Sequence, residues 1–336
     1  MKKKNLAELT SQFYERGKRL VAPLMGFPGV EITNSNIKLA QQNYSEHFKT
    51  IKALVERFNP DIVFPLMDLS VEANAVGRYT VFPREDSATV DTRGRFDFSE
   101  LDRMKEIDIS CDTRVFGYVE TMKLMKLWLP SNVIRGAYVT GPFTLTALIM
   151  GAKEAVLSII KMPKEMHEIC WFTTEVIKEY AHLLIDAGAQ TICFLEPTAV
   201  ILSPRYFLEF SAMYVKQLAM NFRDNGVDTI YHICGQTTHL IEKMVKSGVS
   251  GLSLDSDVTL HEVAKKIPES ITIIGNISST NVMMYSQPEK VKKEVRKLLD
   301  DMRPYPNYIV STGCDLPQKT PLENIEAFMK TARNNN

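Results

Sequence analysis

Thr229-Ile230-Tyr231-His232-Ile233-Cys234-Gly235 compresses a strand, a turn and two common metal-ligand side chains, His232 and Cys234, into one short stretch. The run from Thr229 to Ile233 is apolar and β-branched, and it stops at a glycine. Apolar residues then recur at helical spacing over His239–Val245, so the segment predicts a strand followed by a helix. The same alternation extends outward in both directions. Further strand-like runs are Val21-Ala22-Pro23-Leu24-Met25, Asp61–Met67, Arg135–Thr140, Thr191–Leu195, Gly251–Leu254, Ile271–Ile274 and Tyr308–Ser311. Helical patterns such as Phe207–Phe222 and Val291–Met302 lie between them. Strands that alternate with helices in this way predict an α/β fold, a single (β/α)8 TIM barrel over 1–336.

The rest of the chain is arranged around that barrel. Leu6, Leu9, Phe13 and Leu20 are spaced among polar residues, which predicts an amphipathic N-terminal helix within 1–20 rather than a signal peptide. Residues 69–134 are too long for one barrel loop and predict an insertion after the second strand. It holds a Gly/Pro/Arg-rich stretch from Gly77 to Arg95, then a helix near Val119–Leu129 stopped by Pro130, close to the barrel mouth. Glu289–Lys297 predicts a solvated helix face. Thr320, Pro321 and Glu323 predict a capped start for the last helix.

Composition narrows the function classes. Lys plus Arg and Asp plus Glu number 40 each, so no net field draws the 336-residue chain to nucleic acid or to an anionic membrane. No stretch reaches the ~18 apolar residues of a spanning helix. The cysteines at 111, 170, 193, 234 and 314 are odd in number and scattered, which fits a reducing cytoplasm and no disulfide scaffold. Cys193 reads as a core thiol, and Cys111 and Cys170 as structural.

Alternate residues of a strand share a face, so His232 and Cys234 can converge on one point. Cys314, in Ser311-Thr312-Gly313-Cys314-Asp315-Leu316-Pro317, lies just past the last strand run. In a barrel the loops after the fifth and eighth strands open on one mouth. One imidazole and two thiolates there suit tetrahedral zinc with a position left for chemistry. The competing reading is two buried cysteines and a hydrogen-bonded histidine. Asp68, Glu196, Asp255 and Asn276 also end barrel strands, where polar side chains read as binding or catalytic. Asp255 is the candidate fourth zinc ligand or close partner of the metal, with a helix N-cap near Leu260 as the alternative. Asp68, Glu196 and Asn276 are candidates for the substrate or corrinoid pocket. Met25 and Met67 are candidate pocket walls, with core packing as the other reading.

These residues resemble the uroporphyrinogen decarboxylase superfamily, and within it the methylcobalamin:coenzyme M methyltransferase branch. The resemblance runs over nearly the whole chain. It is carried by Asp61-Ile62-Val63-Phe64-Pro65-Leu66-Met67-Asp68 with Ser70-Val71-Glu72-Ala73, by Gly141-Pro142-Phe143-Thr144-Leu145, by Ile201-Leu202-Ser203-Pro204 and by Gly275-Asn276. Its most specific piece is Thr312–Pro317 with Thr320-Pro321 and Glu323-Asn324-Ile325. The resemblance implies a barrel, zinc on His232, Cys234 and Cys314, and methyl transfer to or from a corrinoid cobalt. In thiol-methylating members zinc holds the acceptor, a coenzyme M-like thiol, as thiolate. The reverse flow, from a methylated substrate such as a methoxylated aromatic to the corrinoid, uses the same parts. A non-catalytic corrinoid-binding scaffold is the reading from another class. The decarboxylases carry an arginine-rich segment near the first strand; here Pro23–Gly29 contains no arginine, which argues against porphyrinogen decarboxylation. Corrinoid domains carry Asp-x-His-x-x-Gly, but Ile230 stands where that aspartate would precede His232. The corrinoid is therefore expected on a partner protein.

Overall fold

The structure is a computed structural model that describes residues 5–91 and 96–334. The lysines at 2–4 and the end of the Gly77–Arg95 stretch lie outside the described residues.

The barrel strands are β1 (Ile62–Val63), β4 (Ile134–Thr140), β5 (Thr191–Leu195), β6 (Asp228–Ile233), β7 (Gly251–Leu254), β8 (Thr272–Ile277) and β9 (Tyr308–Thr312). They form one parallel sheet in that order, with helices between them. A separate antiparallel hairpin joins β2 (Thr80–Val81) to β3 (Thr89–Val90). The first expected strand, Val21–Met25, is reduced to a single parallel bridge, Val21 to Val310. That bridge still closes the ring. Ala22 N–H donates to Val310 O and Val310 N–H to Leu20 O, each at 2.9 Å, and Asp61 N–H reaches Val21 O on the other side.

Proline explains why the first two strands are shorter than the apolar runs that announced them. Pro23 has no N–H to give a ladder, and Pro65 has none either. Side chains take over the pairing beyond them. Leu24 N–H donates to Thr312 Oγ1 at 3.0 Å, and Leu66 N–H to His47 Nε2 at 2.8 Å.

One residue in two points into the barrel. Leu20, Ala22 and Leu24, Ile62 and Phe64, then Tyr138, Cys193, Ile230, Ile274 and Ile309 make an inner core distinct from the larger core between sheet and helices. The helix Leu6–Glu15 stops the end away from the mouth. Leu6 is buried in the inner core, Leu9 and Phe13 pack on it, and Leu6 N–H donates to Asp228 at the start of β6. Asn5 and Glu8 form a capping box that fixes where this helix begins.

Three helices differ from expectation. The helix Thr113–Trp128, N-capped by Asp112, packs between the helices Tyr44–Phe58 and Pro163–Ala187 as an ordinary outer-wall helix, so the excursion after β1 ends before it. Phe207–Phe222 is interrupted by a π-helical turn, Leu208–Ala212. The last helix spans Leu322–Arg333 with Pro321 at its N-cap and no side-chain cap, because Thr320 Oγ1 donates to Pro317 O instead. No single helix among the described residues is long and apolar enough to cross a membrane.

Candidate metal centre

Ile230 and His232 in β6 and Cys234 just past its end share one face, the inner one. Gly235 follows with φ at +84°, the left-handed turn that lets the chain leave the strand directly after Cys234. Cys314 arrives from the loop after β9. Gly313 precedes it because a Cβ there would lie 2.4 Å from Ser256 N, so the two loops cross only with glycine. The result is one cluster. His232 Nε2 lies 3.1 Å from Cys234 Sγ, and Cys234 Sγ lies 3.3 Å from Cys314 Sγ. All three donor atoms fall within 4.8 Å of one another, the one such group of His, Cys, Asp or Glu found among the described residues.

The chemistry of this donor set fits a soft divalent cation. The sulfurs are far beyond the ~2.05 Å of a disulfide, and near the ~3.8 Å that two ~2.3 Å zinc–sulfur bonds at a tetrahedral angle would set. The hydrogen bond from the Cys234 thiol holds Cys314 below the usual thiol range, with His232 adding to the effect. The second proton is harder to remove, because Cys234 gives it in a hydrogen bond to Cys314, is itself buried, and would ionise beside an existing thiolate. A bound dication removes that repulsion. His232 is buried, and its Nδ1 sits 2.9 Å from Ser253 Oγ. That contact leaves Nε2 facing the sulfurs as the free lone pair.

The other expected site residues lie outside the donor cluster. Asp255 does not join the cluster. Its Oδ2 accepts from Gly235 N–H at 3.0 Å, and its Oδ1 from Asp257 N–H and Ser256 Oγ at 3.1 Å. It is not a helix cap either, since the helix Leu260–Ala264 has Thr259 at its N-cap. Asp255 holds the turn after Cys234 in place. Asn276 Nδ2 donates to Asp255 O and Val258 O, bracing the same loop.

Asp68 is sealed in the wall. Its side chain is wholly buried against Arg114, with Ser70 N–H and Oγ on Oδ1 and the Tyr118 hydroxyl on Oδ2. Glu196 is likewise internal. It accepts from Phe143 and Thr144 N–H at the start of the helix Pro142–Met150, and from Ser211 Oγ at 2.6 Å. Burial pushes its carboxyl up, and these donors pull it partly back. Ser211 reaches it from the π-helical turn and also meets the Tyr231 hydroxyl, next to His232. Met25 is buried in the larger core, whereas Met67 is half-buried and packs against the inner core beneath the mouth.

Three residues near the centre were not singled out from the sequence: Ser253, Asp315 and Tyr138. Ser253 pairs with His232 across the β6–β7 ladder, a register that periodicity does not reveal. Asp315 Oδ1 accepts from Gly26 and Leu316 N–H, and its Oδ2 has no partner among the described residues. Burial, then the charge on Cys314, pushes its carboxyl up to about 8. Tyr138 points inward from β4, and its ring stacks on Phe64.

Comparison with known proteins agrees with the barrel. Residues 31–335 match the family described as uroporphyrinogen decarboxylase (URO-D). The methylcobamide:CoM methyltransferase MtbA of Methanosarcina acetivorans is 25% identical over 238 residues, covering 70% of this chain and 68% of the relative. A uroporphyrinogen decarboxylase of Prochlorococcus marinus is 27% identical over 240 residues, covering 69% and 68%. A solved methyltransferase from Methanosarcina mazei shares the fold with a TM-score of 0.86 at 20% identity, over 98% of each chain. A match that takes in every barrel strand and all three clustered donors establishes that the chain belongs to the uroporphyrinogen decarboxylase (URO-D) family.

Proposed function

We propose that the chain is a zinc-dependent methyltransferase that accepts methyl from a methylated corrinoid, carried by a partner protein, onto a small thiol at the barrel mouth. The observation that carries this reading is the convergence of His232 Nε2, Cys234 Sγ and Cys314 Sγ within 4.8 Å. Three protein donors leave one tetrahedral position for a substrate atom, whereas structural zinc sites are closed by four. Relatives named methylcobamide:CoM methyltransferases support the corrinoid link. Relatives named uroporphyrinogen decarboxylases raise the other chemistry. Against it stand the arginine-free Pro23–Gly29 segment and a thiolate-rich donor set that decarboxylation would leave idle. A reducing, cytoplasmic setting suits paired thiols that must stay reduced.

Zinc at these donors would supply the charge that ionises a thiol near neutral pH, where an unperturbed thiol has a pKa of about 8.5. The chain's own residues set the stage for it. Ser253 fixes the His232 ring, Asp255 and Asn276 hold the turn after Cys234, and Gly313 admits Cys314 to the same point. The inner core below the centre keeps water away from the transfer. Overall, the methyl ends on sulfur, the cobalt–carbon electron pair stays on cobalt, and the thiol proton is released.

The test is to incubate zinc-loaded protein with methylcobalamin and a panel of thiols including 2-mercaptoethanesulfonate and 2-mercaptoethanol. Loss of the methyl–cobalt absorbance is expected with a thiol and absent in Cys314→Ala. Silence with every thiol, together with methylcobalamin formation from cob(I)alamin and a methoxylated arene, would replace this reading with the reverse flow.

A further inference from the structure

Tyr138 is rooted in the barrel layer of Cys193 and Ile230, two residues below His232 along the mouth axis. Its ring stacks on Phe64 with centroids 4.5 Å apart and planes 15° from parallel. The residue is only 8% exposed. Buried tyrosine hydroxyls ordinarily have a hydrogen-bond partner. This one has none among the described residues, and its oxygen is not fully buried. Its place in the inner core, on the strand face that carries Ile230 and His232 in β6, puts the ring inside the barrel beneath the metal centre. An O–H donor is thus held inside the barrel below the donor cluster, with no acceptor among the described residues.

We propose that the Tyr138 hydroxyl donates a hydrogen bond to the substrate sulfur, a thiolate held at the His232–Cys234–Cys314 centre. The proposal rests on the thiol reading given above and adds the residue that recognises the anion. At neutral pH a tyrosine hydroxyl keeps its proton, and its acceptor must therefore bring a lone pair. A thiolate does so strongly. The methyl thioether product, neutral and weakly accepting, does so poorly. The contact therefore binds reactant over product and is weakened as the sulfur–carbon bond forms. An interaction made in the ground state and loosened in the transition state appears in KM rather than kcat.

Tyr138→Phe removes the oxygen and keeps the ring stack. With 2-mercaptoethanesulfonate and 2-mercaptoethanol as probes, the variant should raise KM, and the calorimetric Kd of the zinc-loaded protein, about ten- to a hundredfold. The value of kcat should stay level or rise, and zinc content, thermal midpoint and inhibition by the methyl thioether should match the parent. An unchanged KM and Kd in a variant of a parent that does methylate thiols would overturn the role of Tyr138 alone. A parent that neither binds nor methylates either thiol would overturn the thiol reading, and this proposal with it.

Discussion

The imidazole of His232 presents Nε2 to the two sulfurs because Ser253 occupies Nδ1. Outer contacts of this kind set the ring's tautomer and orientation, and losing one typically weakens metal binding about 10–100-fold. Ser253→Ala should therefore still fold and still bind zinc, but lose it to a competing chelator at concentrations lower by about that factor. Ser253→Thr should recover part of the loss. Cys314→Ala removes a donor, and elemental analysis should find it essentially without zinc; a full complement would refute the centre. The difference between these residues is also a difference in legibility. Alternation along one strand was enough to bring His232 and Cys234 together, and barrel topology was enough to bring in Cys314. Ser253 becomes a neighbour of His232 only once the β6–β7 register is known. Asp255 was legible only in part, for a related reason. Its place at a strand end was readable, but its bond to Gly235 N–H depends on a loop conformation that no spacing encodes.

Between elements, the buried carboxylates are clamps. Asp68 ties the segment after β1 to the helix Thr113–Trp128 through Arg114, whose guanidinium also stacks over Phe82 and donates to Ser70 Oγ. Removing one member of a buried pair strands the other charge and costs about 3–5 kcal/mol, far more than a surface ion pair contributes. Asp68→Asn should thus lower unfolding free energy in urea by about that amount without changing zinc content. Adding Arg114→Met should recover much of the loss, since the stranded cation is gone. A stable Asp68→Asn with impaired turnover would instead restore the direct pocket role. Strand ends at a barrel mouth attract catalytic side chains, but the same ends must also be tied to the helices around them. The sequence pattern does not separate the two duties. It did place the elements themselves, because the outer helices and six of the strands carry clean periodicity. It overestimated the first two strands, where Pro23 and Pro65 leave an apolar run intact while removing ladder donors, and it could not foresee the π-helical turn that brings Ser211 onto Glu196.

For the molecule as a whole, two buried groups bind protons in opposite senses on folding. Burial raises the Glu72 carboxyl from 4.5 to about 7, despite hydrogen bonds from Thr140 N–H and Oγ. Burial lowers His47, which accepts from Leu66 N–H, from 6.5 to about 3. Between pH 4.5 and 6.5 the folded chain therefore holds one proton more than the unfolded chain at Glu72 and one fewer at His47. Stability changes with pH in proportion to that difference, by at most about 1.4 kcal/mol per pH unit for one proton. Glu72 alone makes stability fall as pH rises through this window, because the folded state must give up its extra proton. His47 alone makes stability fall as pH drops below 6.5, because only the unfolded chain can take the proton up. In the parent the two slopes oppose each other. Each variant should expose the slope of the residue it keeps. Relative to the parent, Glu72→Gln should lose stability progressively as pH is lowered from 6.5 to 4.5, while His47→Gln should lose it as pH is raised from 4.5 towards 7. Urea unfolding at half-unit pH steps, taken as the difference between each variant and the parent, cancels every group the two proteins share. Parallel curves for parent and both variants would mean that neither proton is exchanged on folding, and that burial at these two positions is relieved by contacts other than those with Thr140 and Leu66.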